Sequence, residues 1–159
     1  MYYAKLMVLL LLLTACGQQE QAEQAKPTVF KPTGDVMHLM AWVLDPAADH
    51  VWDSAGSIIT ATGTRELAPT TDEGWLAVQH SAAVIAETGN LLLMPGLIRD
   101  NGDWQDISHG LIAAGMRAKA AAEAQDTDAL FDAGGQIYRV CTSCHSLYIH
   151  GDDESPEQL

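Results

Sequence analysis

Two cysteines three residues apart, with a histidine immediately after the second, dominate the reading of this chain: Cys141-Thr142-Ser143-Cys144-His145. C-x-x-C-H is the attachment signature of a c-type haem. From the chain's own composition only about 0.002 such pentapeptides are expected by chance. On a helix, residues three apart share a face, so the thiols of Cys141 and Cys144 can add across the two vinyl groups of one porphyrin edge as thioethers. His145 then turns its imidazole under the iron as the proximal ligand. A fold built round this motif must supply apolar walls for one covalent haem c. Two other uses of the same residues compete. A thioredoxin-type dithiol wants its C-x-x-C at the start of a helix that follows a strand, whereas this pair sits late in a helical stretch. A structural zinc site could take Cys141, Cys144, His145 and His150, but the adjacent Cys144 and His145 make poor tetrahedral geometry.

The opposite end of the chain carries an address. Met1 to Lys5 make a short basic start, and Leu6 to Leu13 form an unbroken apolar run. A run this short is the core of a secretory signal and not a membrane span, which takes about 20 apolar residues. Leu13-Thr14-Ala15-Cys16 then resembles a bacterial lipoprotein box, which implies cleavage before Cys16 and acylation of that cysteine. Residues 1–15 are therefore read as a leader and 16–32 as a tether, polar and low in complexity. About 16 such residues span on the order of 20 Å, enough to hold a folded part clear of headgroups. Gly17 in place of an aspartate after Cys16 implies forwarding to the outer membrane in a cell with two membranes. Export and covalent haem agree, because in bacteria this attachment takes place after translocation, in the periplasm. The membrane is then reached through the N-terminal lipid only.

The folded part, residues 33–150, has the length of one domain, with an acidic tail at 151–159. Hydrophobic residues make up 48% and aromatics only 6%, while Ala, Leu, Gln and Glu abound, so the expectation is all-α. With 21 acidic against 8 basic side chains, net −13, nucleic acid is excluded as a partner class. Four helices are predicted. The first runs from about Asp35 to Ala55, capped by Thr33 or Asp35, with a kink near Asp45 or a junction of two shorter helices because Pro46 lies inside it. At 100° per residue Val36, Met40, Val43, Leu44, Ala47 and Val51 share about 100° of arc, with Met40 near its middle and His38 on the far side. Residues 56–70 read as an ordered loop with room for a short extended piece. A capping box at Thr70-Thr71-Asp72-Glu73 opens a second helix that ends at Glu87, with Gly89 as its stop. The third helix spans Asp103 to about Ala124, and the fourth opens at Thr127 or Asp128 and runs into the haem motif. The architecture expected is an antiparallel four-helix bundle with the haem as part of its core, near the C-terminus.

With Tyr148 completing C-H-x-x-Tyr and the motif placed late in the last helix, residues 33–150 resemble the cytochrome c′ superfamily. Ile149 stands where members of that family usually carry a basic residue. The resemblance implies an exported four-helix bundle with one haem, often paired as a homodimer. It also implies one of two functions. Members whose first helix covers the iron with an apolar side chain bind nitric oxide or carbon monoxide; members whose first helix supplies a methionine hold a low-spin iron and transfer electrons. Met40, in the middle of the apolar arc, is the favoured sixth ligand, with Met37 about 60° away as the other candidate. His38, His80 and His109 read as surface histidines, and Trp42, Trp52, Trp75 and Trp104 as core or haem-edge packing. The sequence offers no distal acid–base pair of the kind a peroxidase needs, so the chain is read as a carrier and not an enzyme. Its acidic surface keeps an exported protein soluble and can steer a basic redox partner.

Overall fold

The computed structural model describes residues 30–149, and this part of the protein is mostly helical with one small two-stranded sheet. The leader, Cys16, most of the tether, His150 and the acidic tail lie outside the described residues. None of the described helices is long and apolar enough to cross a membrane.

The first helical stretch comes in three pieces that follow one another without leaving helical backbone angles: α1 (Val36–Leu39), a π turn (Met40–Leu44) and α2 (Asp45–Asp53). Asp35 is the cap, its carboxylate accepting from the His38 backbone N–H at 2.9 Å. The break expected at Pro46 takes the form of the π turn. Proline has no N–H to donate, and in an α-helix its ring collides with the carbonyl four residues back, here Trp42. The chain widens instead. Asp45 N–H reaches back five residues to the Met40 carbonyl, and α2 begins afresh with Pro46 in its first turn, where an N–H would lack an intrahelical partner anyway.

This widening changes which side chains face inward. Ala47, Ala48 and Val51 are buried as the periodicity requires. N-terminal to the π turn, however, Leu39 is buried at 9% exposure, and Met40 is only partly buried. The 100° periodicity puts Met40 at the centre of the stripe and Leu39 off it. An extra residue in one turn offsets everything before it, and that offset brings Leu39 in.

Within residues 56–70 the chain forms a hairpin over residues 57–66. β1 (Ser57–Thr60) pairs antiparallel with β2 (Gly63–Glu66), Ser57 opposite Glu66 and Thr60 opposite Gly63. Both strands are exposed along their whole length. The second long helix, α3, is Asp72–Leu92. Its cap is Thr71, which accepts from Gly74 N–H at 3.1 Å, and not Thr70. It runs past the expected stop, because Gly89 is a point of close approach and not a helix end. A Cβ there would lie 2.6 Å from the Ile112 side chain and 2.8 Å from the Ser108 carbonyl on the next helix.

That helix, α4, is Asp103–Glu123, and α5 is Thr127–Tyr148, capped by Asp126. α3 and α4 are the most closely packed pair, α4 and α5 the next, and α2 lies against both α3 and α5. Gly115 of α4 repeats the close approach from the other side, its missing Cβ facing the Ala86 backbone nitrogen at 2.6 Å. Val51, Val78, Ile85, Ala118, Leu130 and Ile137, all fully buried, come from α2, α3, α4 and α5 and make one core. Among the described residues, every buried side-chain nitrogen and oxygen has a hydrogen-bond partner.

Candidate functional site

The C-x-x-C-H residues occupy the last two turns of α5. The face they present follows from helix spacing: Ile137, Val140, Cys141 and Cys144 lie at intervals of three or four, so the stripe that buries Ile137 in the core continues outward as Val140 and the two cysteines. Both thiols are free and partly buried. Cys141, Cys144 and His145 line a small apolar cleft whose other walls are Met40 and Leu44 from the π turn, Leu92 from the end of α3, Ile107 and Leu111 from α4, and Val140. His145 is otherwise exposed, which puts it at the rim.

Of the two methionines on the first stretch, Met40 is in this cleft and Met37 points away, 72% exposed. His38 is half-exposed and tied to Asp35, its ring 4.2 Å from that of Trp42. Trp42 is 63% exposed, so it is neither core nor cleft packing as expected; Trp75 and Trp104 are buried. Trp52 is partly buried, and its Nε1 donates to the Gly134 carbonyl of α5 at 3.0 Å, fixing α2 on the helix that bears the cysteines.

Burial pushes the Cys141 thiol above its ordinary pKa, with the Asp45 carboxylate and then Cys144 adding to the effect; burial alone does the same for Cys144. A dithiol of the thioredoxin kind requires the opposite shift and a place at a helix N-terminus, whereas these cysteines sit in the last turns. Among the described residues no three His, Cys, Asp or Glu side chains converge on a common metal position, so Cys141, Cys144 and His145 do not by themselves form a zinc cage.

The chemistry of the donor set fits a covalent haem: two neutral thiols on one helix face, an imidazole beside them, a thioether on a different element, and an otherwise aliphatic lining. The cleft's free volume is about 30 Å³, far less than a macrocycle fills, so these residues would hold one only with the walls moved apart.

The end of α5 is anchored through Asp100, a residue that the sequence did not single out, together with Tyr148 and Trp104, which it did. The Tyr148 hydroxyl donates to Asp100 Oδ2 at 2.5 Å, and its ring packs edge-on against Trp104, centroids 4.9 Å apart. Asp100 Oδ1 accepts from the backbone N–H groups of Gly102 (2.8 Å) and Trp104 (3.1 Å), doing for α4 what its cap residue Gly102 cannot. Trp104 Nε1 in turn donates to the Leu92 carbonyl at 2.8 Å. One carboxylate thus ties together the end of α3, the start of α4 and the turn that carries His145. These bonds hold the Asp100 carboxyl below the usual carboxylate range and push Tyr148 up to about 12. Asp100 is a lone acid in a loop, 48 positions from its tyrosine, and only the packing of that loop identifies it. No protein-family model, curated protein or solved structure matches this chain.

Proposed function

We propose that this protein is an exported, lipid-anchored c-type cytochrome carrying one haem in an antiparallel four-helix bundle, and that it transfers single electrons between redox proteins in the periplasm. The observation that carries the reading is the convergence of Cys141, Cys144, His145 and Met40 on one apolar cleft. Cys141 and Cys144 would hold the macrocycle as thioethers, and His145 and Met40 would ligate its iron. The bound group supplies a reversible one-electron change at iron.

The chain's own residues do the rest. Leu44, Leu92, Ile107, Leu111 and Val140 keep water from the centre. Asp100, through Tyr148 and Trp104, holds the turn that bears His145. Cys16 anchors the chain by its lipid, and the acidic surface attracts a basic redox partner at low ionic strength.

Visible spectra of protein matured with a working haem-attachment apparatus test the reading. Sharp low-spin bands in the ferrous state, unmoved by carbon monoxide, are expected. A broad high-spin Soret band that shifts on adding carbon monoxide defeats electron transfer through a His/Met iron and leaves gas binding in its place.

A further inference from the structure

We propose that Pro46 is a positioning residue for Met40: the wide turn it imposes sets the angle at which the methionine enters the cleft. The inference rests on reading the cleft as a haem site and adds to it a residue outside the cleft lining.

The two halves of the first stretch are held differently. α2 is held by the burial of Ala47, Ala48 and Val51 and by the Trp52–Gly134 hydrogen bond. Its rotation about its own axis is therefore set by the core. Residues 36–40 have no comparable anchor: Leu39 is the only buried side chain of α1. Their orientation is inherited from α2 through the turn between them.

In an uninterrupted α-helix that turn would place Met40 in line with Ala47 and Val51, facing the core, and Leu39 about 100° to one side. The observed turn closes with the five-residue bond from Asp45 N–H to the Met40 carbonyl and holds about one residue more. The residues before it are rotated accordingly. Leu39 takes the core position, and Met40 is displaced to the flank, where it lines the cleft that Cys141, Cys144 and His145 also line.

Pro46 is the cause that the sequence provides. It is the residue that cannot make the α-helical bond to the Trp42 carbonyl, and every other residue from Val36 to Asp53 can donate its N–H. Alanine at this position restores the donor, removes the ring and favours a regular helix. In the Pro46→Ala protein Met40 should turn toward the core and away from the cleft, with Leu39 turning out.

The test compares wild type, Pro46→Ala, Met40→Ala and the loop control Pro95→Ala, all haem-loaded, with methionine methyl groups isotopically labelled. Two readouts are taken: the sulfur-to-iron charge-transfer band together with carbon monoxide affinity, and the NMR signal of the Met40 methyl, assigned by its loss in Met40→Ala. Pro46→Ala should lose the band as Met40→Ala does, gain roughly tenfold or more in carbon monoxide affinity as the open form becomes the main one, and shift the Met40 methyl signal. Pro95→Ala should do none of these. A Pro46→Ala protein with the wild-type band and an unmoved Met40 methyl overturns the proposal while leaving the haem reading intact. A wild type that lacks the band, but whose Met40 methyl still moves on Pro46→Ala, overturns methionine ligation and upholds the control of Met40 by Pro46.

Discussion

The close packing of α3 on α4 places Leu92, Ile107 and Leu111 in the cleft wall, and it can be probed with two glycine-to-alanine substitutions on α4 that are predicted to act in opposite directions. At Gly115 an added Cβ meets the Ala86 nitrogen at 2.6 Å, the Ala82 carbonyl at 3.0 Å and the Ala86 Cα at 3.0 Å, all backbone atoms of α3 that cannot rotate aside. At Gly110 its nearest neighbour is a Val140 methyl at 3.6 Å, an ordinary contact. In a helix interior Ala is favoured over Gly by about 1 kcal/mol at both sites. Overpacking costs typically 1–3 kcal/mol, and the immobile backbone at Gly115 argues for the upper part of that range. Gly115→Ala should therefore lose about 1–2 kcal/mol, and Gly110→Ala should gain about 0.5–1 kcal/mol. For a domain of this size each kcal/mol moves the Tm by roughly 3–6 °C, so the two variants should melt roughly 5–15 °C apart, on either side of wild type. Thermal melts followed by far-UV circular dichroism at one pH and protein concentration give the answer. A Gly115→Ala protein as stable as Gly110→Ala would mean that α3 and α4 do not approach as described.

Three further outcomes are expected. Thr71→Ala removes the cap on α3 and should cost about 1 kcal/mol, visible as a Tm lower by roughly 3–6 °C; an unchanged Tm would show that Thr71 does not cap this helix. Tyr148 holds its proton up to about 12, above its ordinary value near 10, so its contribution to stability is complete below about pH 10 and is lost as the pH rises through about 12. Asp100, with its pKa lowered, contributes above about pH 4 and loses that contribution as the pH falls further. Tyr148→Phe should be less stable than wild type at neutral pH, and the gap should close on the alkaline side in pH-dependent unfolding; a constant gap through pH 12 contradicts the Asp100 bond. Cys16→Ser should move the exported protein from the membrane pellet to the soluble fraction on cell fractionation, and a variant still in the pellet removes the lipid anchor from the account.

What the sequence revealed and what it concealed divide along physical lines. Local signals were partly legible because they depend on neighbours in the chain: Asp35 is one of the two caps expected for the first stretch, and the cap of α3 falls inside the expected Thr70–Glu73 box, one residue later than a capping box places it. Phase was not legible across Pro46. A periodicity of 100° per residue presumes unbroken α-helix, and one π turn suffices to exchange Leu39 and Met40. Gly89 carries two meanings, helix end or close approach, and only the Ser108 and Ile112 atoms opposite it decide between them. Residues 56–70 showed their β-branched content, yet the pairing of β1 with β2 depends on a register that composition does not specify. Asp100 was invisible because its value lies in what three separate elements bring to it.

Covalent attachment of a macrocycle through Cys141 and Cys144, as proposed above, is decided by intact-mass measurement of the exported protein paired with thiol alkylation under denaturing conditions. A polypeptide heavier by one haem, in which neither Cys141 nor Cys144 takes up the alkylating agent, is the expected result. A chain at its bare mass with both thiols alkylated would contradict it.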